Sequence, residues 1–312
     1  MSRFFEFSST LTKLGFCLTF IINLTFISLT LSYTRVITGT YRKMLVLFAI
    51  ICIVFTGLEN ISQPYIHNYN GGLVYFSLNE SQWFSQVFLR MTLMVYSGCY
   101  IAQISFIAIQ FLFRYFTVTD HALLNSFVGW KQLIWILYFL GSGVIYASFV
   151  WFCLESDDYS DEYMREEMRI SYMRDIKLVP RVMAIAYDQI GNIRVGNVIF
   201  LSVGTFMIGS QYAIIIFCTL EMQNAMTNKL RNLSNRNRRL EKQFLKALVI
   251  QILLPTVLLT VPVGFVLGIP LLDLKINQET GLMFVLCSFY PPLDTMATMV
   301  IIKEYRYSLT GR

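Results

Sequence analysis

Seven apolar segments, each long enough to cross a bilayer as a helix, dominate this chain. They run from Leu14 to Leu31, Met44 to Ile66, Phe84 to Phe113, Leu133 to Cys153, Val195 to Leu220, Phe244 to Leu271 and Leu282 to Ile302. Hydrocarbon about 30 Å thick takes roughly 20 apolar residues per helix, because no water is present there to satisfy the backbone polar groups. A mean hydropathy of +0.56, with 55% hydrophobic and 14% charged residues, leaves too little polar surface to cover a soluble globule of 312 residues. The expectation is an all-α, seven-transmembrane helix bundle forming one domain over residues 1–312. Arg3 and Lys13 precede the first segment, but its apolar run exceeds a signal-peptide core and no small-residue cleavage pair follows before Arg35. It reads as a retained helix.

Loop charges orient the bundle. The first loop carries Arg35, Arg42 and Lys43, the fifth Lys229, Arg231, Arg236, Arg238, Arg239, Lys242 and Lys246, and the tail Lys303, Arg306 and Arg312. Short loops rich in lysine and arginine stay on the cytoplasmic side. The segment from Leu154 to Arg194 holds nine acids against six bases. It is expected outside, together with the amino terminus. The net charge of +6 then reflects attraction to the anionic inner leaflet and gives no reason to invoke nucleic acid.

Six cysteines fall within or at the ends of the spans, with neither a loop framework nor metal-ligand spacing. They read as small packing residues, with a Cys99–Cys153 disulfide left open. The deep acids are Glu59 and Asp294, assigned to opposite ends of the bilayer, and the two histidines, His67 and His121, lie near loops. Paired carboxylates, a metal site or a serine with a base at membrane depth are therefore not in view. Neither catalysis nor a cofactor or metal is expected.

Several polar positions carry two readings. Glu59, near the outer end of span two, either touches a ligand or snorkels. Asn23 reads as interhelical glue. Asn79-Glu80-Ser81 is a glycosylation sequon on the expected outer side. Asn232-Leu233-Ser234 also matches but belongs to the cytoplasm. In the loop from Leu154 to Arg194, Met164, Met168 and Tyr172 recur every four residues, and Asp161 is spaced to pair with Arg165. This stretch is either an amphipathic lid over the bundle or a solvated surface loop. Pro255 and Pro262 should kink span six and let it pivot.

At the last two spans the residues carry a resemblance. KQFLKALVIQILLP, with Leu248, Gln251 and Pro255, and YPPLDTMATMVIIKEYR, with Pro291, Asp294, Lys303, Tyr305 and Arg306, resemble the closing signature of nematode serpentine chemoreceptors of the Str superfamily. TGTYRKMLVLFAI with Gly39 and Tyr41, Pro64 with His67, and FLFRY at the end of span three fit the same family, in its Str or Srj class. The resemblance covers nearly the whole chain. It implies a rhodopsin-like G-protein-coupled receptor with its amino terminus outside, displayed on the plasma membrane of sensory-neuron cilia. It further implies a small odorant or water-soluble chemical as ligand and a heterotrimeric G protein as partner.

Carried over by position, Arg114 and Tyr115 are the coupling switch and Asp294 is the switch residue of span seven. The basic run with Arg238 and Arg239, on the same expected side as Arg114, either anchors to anionic lipid or shares a docking face with it. Phe113 stands where an acid often restrains the arginine, and Thr295 stands where the family has proline. After Arg306 the tail offers Ser308 and Thr310 for phosphorylation. Counting back from Arg114 at 3.6 residues per turn, Gln103, Tyr100, Ser97 and Tyr96 rise along one face and are expected to line a ligand pocket. Met94 and Met207 are weaker candidates, and ordinary helix packing is the competing role for each. A seven-helix ligand-gated channel or a small-molecule transporter is the alternative class. Against it stand the absence of an inverted repeat and the expected exterior amino terminus.

Overall fold

The computed structural model describes residues 3–32, 39–188, 190–229 and 235–310, with side chains described except at 3–6, 226–229, 235–242, 244–245 and 308–310. In chain order the elements are α1 (Arg3–Ser32), α2 (Gly39–Ser62), β1 (Pro64–Tyr69), β2 (Gly72–Ser77), α3 (Gln86–Thr119), α4 (Leu133–Cys153), α5 (Asp158–Tyr172) and β3 (Arg181–Ile185). They continue with α6 (Val195–Lys229), α7 (Asn235–Pro255), α8 (Val261–Leu271), β4 (Gln278–Glu279), α9 (Gly281–Ile301) and α10 (Lys303–Thr310). Among the described residues, seven helices are long and apolar enough to cross a membrane: Phe7–Ser32, Gly39–Ser62, Gln86–Thr119, Gly129–Cys153, Val195–Ala225, Lys246–Leu271 and Gly281–Ile301.

Helix α3 is the central post, with most of its apolar stretch buried, while less than a third of that stretch is buried in spans one, four, five and six. It approaches α4 through paired glycines. A Cβ on Gly98 would sit 2.6 Å from the Gly143 carbonyl oxygen, and one on Gly143 would sit 2.8 Å from the Gly98 oxygen. Small residues at such a crossing let backbones meet where lipid supplies no hydrophobic drive between helices. Gly15 does the same for α1 against α9, where a Cβ would lie 2.7 Å from Ser288 Cβ. The expected glue at Asn23 is present: its Oδ1 accepts from Thr295 Oγ1 at 2.9 Å, and its Nδ2 donates to the Thr19 carbonyl at 2.9 Å. Thr295 thus ties span seven to span one.

Two of the boundaries that differ from the sequence expectation bear on the sites. Span two stops at Ser62 instead of Ile66, because Gln63 turns to φ 39° and Pro64 opens a strand. Span three runs to Thr119 and ends on Asp120, whose left-handed backbone (φ 54°) returns its N–H to the Phe116 carbonyl. Arg114 therefore lies inside the helix, not at its end.

The bundle also carries an element that the all-α expectation lacked. One end is roofed by a four-stranded antiparallel sheet in the order β3-β2-β1-β4. The β1–β2 hairpin turns at Asn70-Gly71, both at positive φ (49° and 81°), the geometry that suits a right-twisted two-residue turn. One face of the sheet meets the helices through Leu73, Tyr75, Val182 and Ala184. The other packs Tyr65, Val74, Phe76 and Met183 against Met164, Met168 and Tyr172 of α5.

The amphipathic segment is thus a lid, laid on the sheet instead of directly on the bundle. Asp157 caps it through a reciprocal bond pair with Ser160, at 2.9 Å each way. The expected Asp161–Arg165 pair is not formed. Asp161 instead takes a two-pronged contact from Arg181 at 2.8 and 2.5 Å, tying lid to β3, and Arg165 pairs with Glu162 at 2.6 Å. Facing the sheet, Asp161 finds a partner across the interface that helical spacing could not reveal.

Candidate ligand cavity and arginine site

Beneath the sheet the helices leave a cavity of about 80 Å³. Its walls are almost wholly apolar, and Tyr96, Ser97 and Tyr100 of α3 line it, as the count back from Arg114 anticipated. Tyr96 stacks on Phe55 with ring centroids 4.6 Å apart, and its hydroxyl makes no hydrogen bond of good geometry, with the Cys287 thiol beside it. Ser97 Oγ lies 3.4 Å from the Tyr75 hydroxyl, which donates to the Leu93 carbonyl at 3.1 Å. Tyr75 is the sheet's polar contribution to the wall. Tyr100 reaches the Thr260 hydroxyl at 3.5 Å.

The fourth candidate, Gln103, lies outside the cavity. It is buried deeper along α3, with Nε2 turned to Cys52 Sγ at 3.9 Å. Met94 and Met207 pack in the surrounding apolar cluster but do not line the space. Sequence counting missed Tyr146 and Val150 on α4, Phe200 on α6, Leu259 and Leu267 on span six, and Cys287 on α9. Arginine marked the rotation of α3; no comparable marker gave the rotations of the other helices. Cys99 and Cys153 are both free thiols.

Glu59 neither reaches the cavity wall nor snorkels. It is buried and accepts from Ser288 Oγ at 2.7 Å, joining span two to span seven. Asp294 is likewise buried, with the Gln251 amide as its polar neighbour across the gap to α7. Asn79 is half-buried, and its amide nitrogen, the atom a glycan would modify, donates to the Ile61 carbonyl at 2.6 Å.

Span six widens where the cavity begins. After Pro255 the chain makes a five-residue π turn, Thr256–Thr260, before α8 resumes around Pro262. A wide turn of this kind is one of the few causes of a sharp helix kink. Tyr212 of α6 grips it, with its hydroxyl 2.9 Å from both Thr256 Oγ1 and Thr260 Oγ1. Tyr100, Thr260, Tyr212 and Thr256 therefore link the cavity wall to the kink.

At the other end of the bundle, the Arg114 guanidinium lies over the Tyr41 ring, with Cζ 3.6 Å from the centroid, and Tyr41 stacks in turn on Phe113 at 6.2 Å. Tyr115, one residue on, points toward span five, with its ring 5.8 Å from Phe217. Consecutive helical residues diverge by about 100°, so this pair engages two different neighbours. Arg238 and Arg239 fall within α7, but their side chains lie outside the described residues. The second sequon, Asn232-Leu233-Ser234, lies outside them as well.

These positions can be compared with known proteins. Residues 8–310 match the family model described as serpentine type 7TM GPCR chemoreceptor Str. The chain is 36% identical over 311 residues to the G-protein coupled receptor str-33 of Caenorhabditis elegans, covering 98% of this chain and 90% of that one. It is 26% identical to the serpentine receptor class r-10 of the same organism, over 95% and 87% of the two chains. To the C. elegans serpentine receptor class J-38 it is 21% identical, over 94% and 90%. Full-length coverage of seven apolar helices by one family makes this chain a multi-pass membrane protein belonging to the Str family of serpentine seven-transmembrane chemoreceptors.

Proposed function

We propose that the chain binds a small, mostly apolar chemical in the cavity beneath the sheet and activates a heterotrimeric G protein at the Arg114 end. The observation that carries the reading is the cavity's connection to the span-six kink through Tyr100, Thr260 and Tyr212. About 80 Å³ is well below the 300–1,000 Å³ of a drug-sized site, so the ligand is a small molecule or one that widens the space on entry. Tyr96, Ser97 and Tyr100 would offer the polar handle, and the rest of the wall sets size and shape. The ligand acts by binding one packing of the bundle better than the other; that difference is the whole driving force.

In this reading the sheet end faces outside, with the amino terminus, and the receptor stands at the plasma membrane of a sensory cilium as one seven-helix domain. The basic run with Arg238 and Arg239 joins Arg114 and Tyr115 at the cytoplasmic face, and Asp294 relays movement in span seven. Glycosylation at Asn79 would require release of its amide from the Ile61 carbonyl.

Expression with a promiscuous G protein and a calcium readout, against volatile and water-soluble compounds, tests the function. A concentration-dependent response is expected; silence despite confirmed surface delivery would count against it. An amino-terminal epitope should stain without permeabilisation. Staining only after permeabilisation would reverse the orientation.

A further inference from the structure

His67 is buried at 1% exposure, on the lid face of β1, in a site the ligand cavity does not use. Its Nδ1 lies 2.9 Å from the Tyr172 hydroxyl. Its Nε2 is 3.4 Å from Glu167 Oε1 and makes no hydrogen bond. That carboxylate oxygen is already committed: Ser171 Oγ donates to it at 2.6 Å and Asn277 Nδ2 at 3.2 Å. A neutral imidazole, with one ring nitrogen bonded to Tyr172, is well served here. An imidazolium would turn its second N–H toward Glu167, but it would hold its charge in a site closed to water, and that desolvation outweighs the pull of the carboxylate.

The strand that holds this histidine also holds the roof to the helices. Ile66, its neighbour, lines the cavity, and the Ile66 carbonyl accepts from Thr280 Oγ1 at 2.5 Å at the start of span seven. Asn68, on the other side, donates from Nδ2 to the Val266 carbonyl of span six at 3.0 Å. A change at His67 therefore reaches the cavity roof, span six and span seven within one residue.

We propose that His67 is a proton-binding site whose protonation loosens the lid and sheet over the cavity, giving the receptor acidity as a second sensed input beside its chemical ligand. Burial, opposed more weakly by Glu167 and Asn277, holds the imidazole below its ordinary range. The open cap, with His67 in water, then binds the proton better than the closed cap. The closed state is favoured above about pH 6.5 and loses that advantage as pH falls.

The other titratable groups facing His67 can be sorted by sign. Tyr65 on β1 is pushed up to about 12 and Tyr172 on α5 is also pushed up, both by burial first, so neither ionises between pH 5 and 8. Glu279 on β4, paired with His67 in register, is raised by burial and then by Glu167. Taking a proton more readily when closed, it works against opening in acid. On β2 the residue opposite His67 is Val74, which does not titrate.

The test is hydrogen–deuterium exchange on the full chain in lipid nanodiscs at pH 7.5 and 5.5, corrected for the intrinsic pH dependence of exchange. Amides of β1 and β2 should lose protection several-fold at pH 5.5, toward a limit of about tenfold set by one pH unit below the solvated imidazole. His67→Gln should abolish the loss, and Glu279→Gln should enlarge it. Unchanged or increased protection of the wild type at pH 5.5 overturns the proposal, as does a His67→Gln protein that keeps the full loss. Should His67→Gln not fold, Glu167→Gln serves instead: removing the one charge that favours imidazolium must leave the loss undiminished, and a smaller loss overturns the assignment. No ligand is needed, so this result is separable from the fate of the receptor reading.

Discussion

Arg114 rests its guanidinium on the face of Tyr41, 3.6 Å from the ring centroid, and that contact stands where an acidic neighbour was missing from the sequence. Phe113 supports it by stacking on the other partner's ring. A desolvated contact of this kind contributes about 1–2 kcal/mol. If it restrains the resting packing, Tyr41→Ala should shift the resting-to-active ratio by roughly five- to thirtyfold and raise ligand-independent G-protein activation. Tyr41→Phe should behave nearly as wild type, and Arg114→Ala should abolish signalling with surface delivery intact. Basal activity that is the same in Tyr41→Ala and wild type would remove the lock.

The cavity invites a size test. Cys287 is 1% exposed and lines the wall, so Cys287→Phe should fill most of the open space. Overpacking of this sort costs about 1–3 kcal/mol, which a seven-helix bundle can tolerate while losing its ligand. The expected outcome is a receptor at the surface that no longer answers an agonist of the wild type. Tyr146→Ala, which enlarges the same space, should extend the response to bulkier compounds. Unaltered potency in both variants would place the ligand elsewhere.

How far the sequence reached can be judged from these same residues. Seven spans were legible because hydrocarbon imposes one length and one composition on each. Tyr96, Ser97 and Tyr100 were legible because Arg114 supplied a phase for α3 and the helix repeat did the rest. Gln103 shares that face but lies deeper than the cavity lining, because the repeat gives a face and not a depth. The sheet escaped because Ile66 continued the apolar run of span two past its true end, and only Asn70-Gly71 hinted at a hairpin. Partners across an interface, such as Arg181 for Asp161 or Tyr41 for Arg114, lie 20 and 73 residues away in the chain and leave no local period.

Gly98 and Gly143 set the distance between α3 and α4. With a Cβ on Gly98 only 2.6 Å from a backbone oxygen that cannot rotate away, Gly98→Val must push the helices apart. A loss of about 1–3 kcal/mol is expected, read as lower thermal stability in detergent and reduced surface delivery. Gly141, with open space around its added Cβ, is the control: Gly141→Val should be near neutral. Equal effects at the two sites would contradict the close-approach account.

Asp161 and Arg181 hold the lid to the sheet with both side chains about a tenth exposed or less. Breaking a largely buried pair by removing one charge costs about 3–5 kcal/mol, more than the lid's remaining surface charges would supply. Asp161→Asn should raise exchange at α5 amides and leave the spans unaffected. Arg165→Gln, whose partner Glu162 is exposed, should change little. If both variants exchange alike, the lid is held mainly by its apolar face of Met164, Met168 and Tyr172 packed on the sheet.

In the proposed reading, the π turn in span six carries the effect of a bound ligand from the cavity toward the arginine. Pro255 cannot donate a backbone hydrogen bond, the π turn at Thr256–Thr260 widens the helix after it, and Tyr212 bridges two threonine hydroxyls across the break. Tyr212→Phe removes both contacts while keeping the ring, so it tests the bridge without opening a void. Each neutral hydrogen bond contributes about 1 kcal/mol, which corresponds to a change of several-fold in the balance between two packings. Agonist potency should shift by that factor while ligand-binding affinity measured without G protein shifts less. Pro255→Ala, which restores a donor at the break, should reduce maximal signalling. A variant pair that leaves both potency and maximum unchanged would show that the pivot lies outside this turn.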